Sequence, residues 1–207
     1  MKVMKRKEQL FDECSRHLLE DEKPSRYFNM DFMGKGDVSY PFSLLLELPK
    51  TEQSKQYHKE GNVWNHTMLV IDEAAKVRTK SKNPKVFMWA ALLHDIGKPR
   101  TTKIRKGRIT AYHHEEAGAD LAEEFLSEVT DDMEFIKEVK GLVRWHMQIL
   151  HVVKETRFSD IDRMLQEVDP KEIALLGWCD RMGRVGSVYK DEKENIEKSL
   201  KKTRFKA

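Results

Sequence analysis

The sequence predicts an all-α helical bundle carrying at most one small hairpin, and three observations lead there. Strand-like alternation of polar and apolar residues is almost absent along the 207 residues. Apolar residues recur instead at spacings of three and four, as in Val63, His66-Thr67, Val70-Ile71, Ala74 and in Phe87, Ala90-Ala91, His94. Helix punctuation also recurs: Asn83-Pro84 and Asp169-Pro170 each place a cap before a proline at the first helical position, where no amide hydrogen is needed.

Taken in chain order, the pattern predicts helices near 3–20, 41–48, 62–80, 84–95, 114–128, 131–147, 160–168, 170–182 and 190–202. Thr130-Asp131-Asp132 puts a cap and negative charge at one helix start, and Ser159 with Asp162 forms a weaker capping box at another. The turn-rich stretch 97–113, with Gly97, Pro99 and Gly107, has space for a hairpin around residues 103–112. Three regions are expected: an N-terminal helix with an irregular connection over 1–60, the functional domain over 61–186, and a charged C-terminal helix or tail over 187–207 that frays into solvent.

A charged fraction of 35% with a net charge of only +3 fits an ordinary soluble globular protein and does not by itself announce a nucleic-acid binder. No apolar run approaches the roughly 20 residues that cross a bilayer, and the basic start MKVMKRKEQL leads into FDEC rather than an apolar signal core, so a cytoplasmic location without a membrane partner is expected. Cys14 and Cys179 form no C-x-x-C unit and read as two buried, reduced thiols.

Most of the eight histidines fall among apolar neighbours in predicted helices, where an unpartnered imidazole is costly to bury. His66 shares a stripe with Val63, Val70 and Ile71, and His94 shares one with Phe87, Ala90 and Ala91, so both face the core. Taken alone, either is most simply a satisfied core histidine. The string Ala90-Ala91-Leu92-Leu93-His94-Asp95-Ile96-Gly97-Lys98 changes that. Successive helical residues project about 100° apart, so His94 and Asp95 can serve one ion only where the helix is ending, and Gly97 is expected to end it as a C-cap. The carboxylate can then bridge while the imidazole binds terminally. Asp95 is also poorly placed at a helix C-terminus unless a cation sits beside it; Lys98 supplies one charge, and a metal would supply more. Asp180 has two readings. It is either an ion-pair partner of Arg181 or Arg184, or, with the histidines, an oxygen ligand of a divalent transition ion or magnesium.

The order His66, His94-Asp95, Asp180 with H-D-I-G-K at its centre resembles the HD superfamily of metal-dependent phosphohydrolases. Y-H-K-E-G-N-V-W-N-H-T (Tyr57 to Thr67), A-L-L-H-D-I-G-K-P (Ala91 to Pro99) and H-E-E-A-G-A (His114 to Ala119) narrow the resemblance. They are similar to the HD domain carried by bacterial CCA-adding tRNA nucleotidyltransferases and related poly(A) polymerase-like proteins. Lys23-Pro24-Ser25 and Leu46-Glu47-Leu48 extend the similarity over about residues 20–186. It implies an HD-domain helical bundle in which His66, His94, Asp95 and Asp180 hold a first metal and His114 and His146 complete a second site. His113 is the alternative to His114 in that register. One or two divalent ions per chain are implied, from Mg2+, Mn2+, Fe2+, Ni2+ and Co2+. His58 and Glu60 match the subgroup motif and either shape the pocket or lie on an exposed loop. Nucleotide addition is not expected of these residues, because no glycine-rich nucleotidyltransferase signature or paired catalytic aspartates precede the HD region.

The expected function is hydrolysis of phosphomonoesters or phosphodiesters, on nucleotides, 2′,3′-cyclic phosphates or RNA ends, by a metal-activated water whose pKa falls from about 15.7 towards about 7. Asp95 and Lys98 are the expected catalytic residues. Lys98, Arg181, Arg184 and His58 are expected at the phosphate, with charge pairing at a helix end as the other role for Lys98. A small phosphorylated substrate, nucleotide in character, is the expected partner. The cations Lys98, Arg100, Lys103, Arg105, Lys106 and Arg108 either steer phosphate-rich substrates, RNA included, or form a solvated loop. The competing class is a non-catalytic nucleotide-binding or sensor module acting through a protein partner.

Overall fold

The computed structural model describes residues 2–36 and 38–204, and the side chains of 6–36 and 38–203. Helix α1 (Lys2–Glu20) is followed by the single turn α2 (Ser25–Tyr27), which widens into a π-type turn over Phe28–Phe32, and by a 3-10 turn over Phe42–Glu47. The main bundle comprises α3 (Val63–Val77), α4 (Pro84–Leu93), the short α5 (Lys98–Thr101), α6 (His114–Ser127), α7 (Met133–Trp145), α8 (Gln148–Val153), α9 (Ile161–Glu167), α10 (Pro170–Met182) and α11 (Tyr189–Arg204).

Side-chain caps fix where the chain enters helix. Asn62, Asn83, Asp132, Asp160 and Asp169 each accept a hydrogen bond from a backbone amide in the first turn that follows, at 2.8, 3.4, 3.0, 3.2 and 2.8 Å. Between α5 and α6, β1 (Lys103–Arg105) pairs antiparallel with β2 (Arg108–Thr110), within the expected hairpin region. Its turn residues Lys106 and Gly107 both have positive φ, 49° and 72°, the backbone a tight two-residue hairpin needs.

Helix α4 lies at the centre. Every residue from Val86 to Leu93 is buried, and α1, α3, α7 and α10 pack around it. The residue following its last turn therefore enters the protein interior, and that residue is His94. Phe11 of α1 stacks on Trp89 of α4 with ring centroids 4.7 Å apart, and Trp89 donates to Ser15 at 2.9 Å. One hydrophobic core runs from Phe11 to Cys179, so the first 60 residues share it.

Several elements differ from the sequence expectation. The helix expected over 131–147 ends at Trp145, and α8 restarts at Gln148. Gln148 holds that restart in place, donating to the Phe158 carbonyl at 3.1 Å and accepting from the Asp160 amide at 3.0 Å. The α9 cap is Asp160 rather than Ser159. Part of the irregular connection is helical over Ser25–Phe32, anchored where Asp72 accepts from the Ser25 amide at 3.0 Å. The charged tail is a packed helix: α11 lies on α10 and α8, burying Ser199 and Thr203.

Candidate metal centre

The helix end at His94 behaves differently from a glycine C-cap. After Leu93 the chain tightens, with the Ile96 amide donating to the Leu93 carbonyl at 3.0 Å and the Lys98 amide to the Asp95 carbonyl at 3.0 Å. Gly97 has φ −78°, an ordinary right-handed value, so a left-handed cap is not its function. A Cβ there would lie 2.2 Å from the His114 carbonyl oxygen and 2.5 Å from the Gly118 amide nitrogen. Glycine at 97 thus lets α6 approach the His94-Asp95 turn, and the approach carries His114 to the site. His113, in the left-handed region at φ 61°, is exposed, whereas His114 is buried beside Asp95.

Asp95 is the hub of the cluster. Its Oδ2 lies 3.2 Å from His94 Nε2 and 3.9 Å from His66 Nε2. Its Oδ1 lies 3.4 Å from His114 Nε2 and 3.8 Å from His146 Nε2. His66 Nε2 is in turn 3.0 Å from Asp180 Oδ1. All six side chains are buried. Helices α3, α6, α7 and α10 and the end of α4 thus bring residues 66, 94, 95, 114, 146 and 180 to one point.

Three of the rings have their tautomer fixed. His94, His114 and His146 each donate Nδ1–H to the carbonyl three residues back, at 2.8, 2.7 and 2.7 Å, which leaves Nε2 as a lone pair aimed inward. Among the described residues His94 Nε2 and Asp95 Oδ2 are buried without a hydrogen-bond partner; the 2.7 Å approach of Lys98 Nζ to Oδ2 is an ion pair lacking hydrogen-bond alignment. Converging imidazole lone pairs and a carboxylate oxygen that accepts no hydrogen bond are what a divalent cation takes, so the donor set fits a metal.

The charge states agree. Burial alone would raise the Asp95 carboxyl, but His94 and Lys98 beside it hold it well below the usual carboxylate range. Asp180 is likewise held low against burial by Arg184 and His66. Burial, reinforced by the Lys98 charge, pushes His114 down to about 3, and burial with His94 nearby lowers His146. Neutral imidazoles and ionised carboxylates are the forms that bind metal. His66 is the exception: burial would lower it, yet Asp180 and Glu60 on its two nitrogens raise it above the ordinary value.

The cluster floors a cleft of about 350 Å³ lined by Gln53, Tyr57, His58, Ile109, Thr110, Met147, Leu150 and Lys154, together with Lys98, Arg184 and, of the cluster, Asp95, His114, His146 and Asp180. Lys98 Nζ is held between Asp95 and the Oε1 of Gln53, the latter at 2.6 Å. Arg184 grips both Asp180 oxygens at 2.9 and 2.7 Å, so the ion-pair reading of Asp180 and its approach to His66 hold together. His58 lines the cleft and lies 2.8 Å from Glu60, whose Oε1 also reaches His66 Nδ1 at 3.0 Å. Arg181, expected at the phosphate, does not reach the cleft. One helical position from Asp180 its side chain turns the other way, and it pairs with Glu192 of α11. Gln53, Met147, Leu150 and Lys154 carried no sequence signal, because loop and short-helix residues acquire a shared wall only through tertiary contact.

Residues 63–181 match the HD domain family, more than half of the chain. The chain is 29% identical over 196 residues to a "Multifunctional CCA protein" of Actinobacillus pleuropneumoniae serotype 5b (strain L20), covering 89% of this chain and 45% of that one. It is 30% identical over 186 residues to the Polaromonas naphthalenivorans (strain CJ2) protein of the same name, and 32% over 166 residues to that of Methylobacillus flagellatus (strain ATCC 51484 / DSM 6875 / VKM B-1610 / KT). These matches span 86% and 78% of this chain but 42% and 37% of the relatives, so the chain spans less than half the length of the curated proteins it resembles. With a matched domain that contains His66, the His94-Asp95 pair and Asp180, the chain belongs to the HD-domain family of metal-dependent phosphohydrolases.

Proposed function

We propose that this chain hydrolyses phosphomonoesters or phosphodiesters of nucleotides, 2′,3′-cyclic phosphates or RNA ends, with one or two divalent ions held by His66, His94, Asp95 and Asp180 on one side and Asp95, His114 and His146 on the other. The observation that carries the reading is the placement of the Asp95 carboxylate, with one oxygen toward His66 and His94 and the other toward His114 and His146. When bound, the ions supply an acidified water and neutralise phosphoryl oxygens.

The chain's own residues supply the rest. Lys98 and Arg184 face the cleft beside the cluster and offer their remaining donors to a phosphate. Gln53 holds Lys98 Nζ, so its charge is already oriented before substrate arrives. Glu60 fixes the His58 ring, whose other nitrogen is free to reach the substrate. Ile109, Met147 and Leu150 give the cleft apolar walls that suit a nucleobase or sugar. Residues 61–186 would form the hydrolytic domain, with Gln53, His58 and Glu60 of the preceding connection completing its site.

A hydrolysis panel run in Mg2+, Mn2+, Fe2+, Ni2+ and Co2+ tests this. Turnover of 2′,3′-cyclic nucleotides or nucleoside monophosphates, abolished by chelation and restored by metal, is the expected result. Stoichiometric metal without turnover of any phosphoester would instead support the non-catalytic sensor reading.

A further inference from the structure

The cleft opens onto a strip of surface that the hydrolytic chemistry leaves unused. Between Ile96 and His114 the chain carries cations at 98, 100, 103, 105, 106 and 108 and not one carboxylate. The last four of these, Lys103, Arg105, Lys106 and Arg108, are exposed on the β1–β2 hairpin, and none makes an ion pair among the described residues. The register sets Arg105 directly opposite Arg108. Like charges paired across two strands destabilise a hairpin unless an anion lies against them.

The hairpin is continuous with the site, because Ile109, Thr110 and Ala111 form part of the cleft wall. Two exposed tyrosines accompany it. Tyr112, 54% exposed, comes just after Ala111 beyond the end of β2 and lies under the Arg105 guanidinium at 5.3 Å. Tyr57, 57% exposed and lining the cleft, lies under Lys154 Nζ at 6.0 Å. An exposed ring backed by a cation is a platform for an unstacked base, and a row of unpaired cations follows a phosphate backbone. A mononucleotide in the cleft would leave Tyr112 and the four hairpin cations without a role, whereas a longer strand engages them all. A duplex keeps its bases stacked and cannot use the rings, and a lipid surface would need the cations but not the tyrosines.

We propose that hairpin residues 103–110 with Tyr112 bind single-stranded RNA and deliver its phosphorylated end past Tyr57 to the Asp95 cluster. The binding strip stands on its own observations; only the direction of the strand, and its being RNA, rest on the hydrolase reading above.

Fluorescence anisotropy of the full chain with a labelled single-stranded RNA of roughly 12 nucleotides, in chelator so that the strand stays intact, tests it. Four phosphate contacts predict a logarithmic salt slope near about −3. Arg105→Glu with Arg108→Glu should weaken binding at least about tenfold and flatten that slope, and Tyr112→Ala should weaken it about tenfold with the slope kept. Wild-type circular dichroism and thermal midpoints for these variants would show that the fold is intact. A salt-independent signal, unchanged binding by the Arg105/Arg108 variant, or equal affinity for duplex RNA, for DNA of the same sequence or for phosphatidylserine vesicles would overturn the proposal. Hydrolysis of small phosphodiesters without strand binding would remove the strip and leave the hydrolase reading; strand binding by a chain that hydrolyses nothing would do the reverse.

Discussion

The Nε2 atoms of His114 and His146 lie 3.3 Å apart although both rings have already committed Nδ1–H to a backbone carbonyl. Two lone pairs facing each other at that distance inside the protein repel unless a positive charge lies with them. Asp95 Oδ1, within 3.4 and 3.8 Å of the same nitrogens, completes a three-donor group.

His146→Ala should therefore lower bound metal by about one equivalent while the His66, His94 and Asp180 side keeps its own. Plasma emission spectroscopy on the purified variant checks this, and an unchanged metal content would show that the second group of donors is not used.

Glu60 holds both His58 and His66 through one carboxylate oxygen, and its other oxygen accepts from the Val185 amide at 3.3 Å. Burial would raise this carboxyl, but the two histidines hold it well below the usual range, so it stays an anion. Glu60→Gln removes the charge and keeps the shape. Metal affinity should fall about 10- to 100-fold, as expected when a carboxylate behind a metal-binding histidine is lost. Competition with a chelating dye measures it.

Gly97→Ala should destabilise the fold by about 1–3 kcal/mol, since the new methyl meets backbone atoms of α6 that cannot rotate away. Chemical denaturation gives the energy. The same shift moves His114 from Asp95, so metal binding should weaken in the remaining folded protein. Gly34→Ala is the control, because nothing lies within 4 Å of a Cβ there.

Both thiols should be inert in the native state. Burial, only partly opposed by the Tyr27 hydroxyl 3.9 Å away, pushes the Cys14 thiol up to about 12, and burial with Glu73 nearby raises Cys179 as well. A raised thiol pKa leaves little thiolate at pH 8, so iodoacetamide should modify either cysteine at least about 100-fold more slowly than in denaturant. Mass spectrometry over time decides it; rapid native labelling would show that α1 or α10 opens.

The all-α fold was legible because its caps and periodicities are local: Asn83-Pro84 and Asp169-Pro170 mark the starts of α4 and α10 where the structure has them. Legibility failed where long-range contact decides. Nothing local breaks the helix at His146, and the α8 restart depends on Gln148 reaching Phe158 and Asp160. Gly97 was legible as a helix end, but its reason, the approach of α6, lies far downstream at His114 and Gly118. His66 and His94 stood out once their apolar stripes were joined by the His94-Asp95 string, whereas His114 and His146 were pointed to only by the family resemblance. Gln53 and Lys154 did not, since a loop amide and a surface lysine look the same in sequence whether or not they wall a cleft. Arg181 and Arg184 look equivalent in sequence, yet Arg181 lies within α10 and pairs with Glu192, whereas Arg184, just past its end, folds back onto Asp180.

In the proposed function Asp95 joins two groups of donors around bound cations. Metal content and phosphoester turnover, measured together on wild type and Asp95→Ala, test it most directly. Wild type should carry stoichiometric divalent metal, the variant should lose it, and turnover should fall at least about a thousandfold with it. An Asp95→Ala protein that is metal-free and fully active would contradict it.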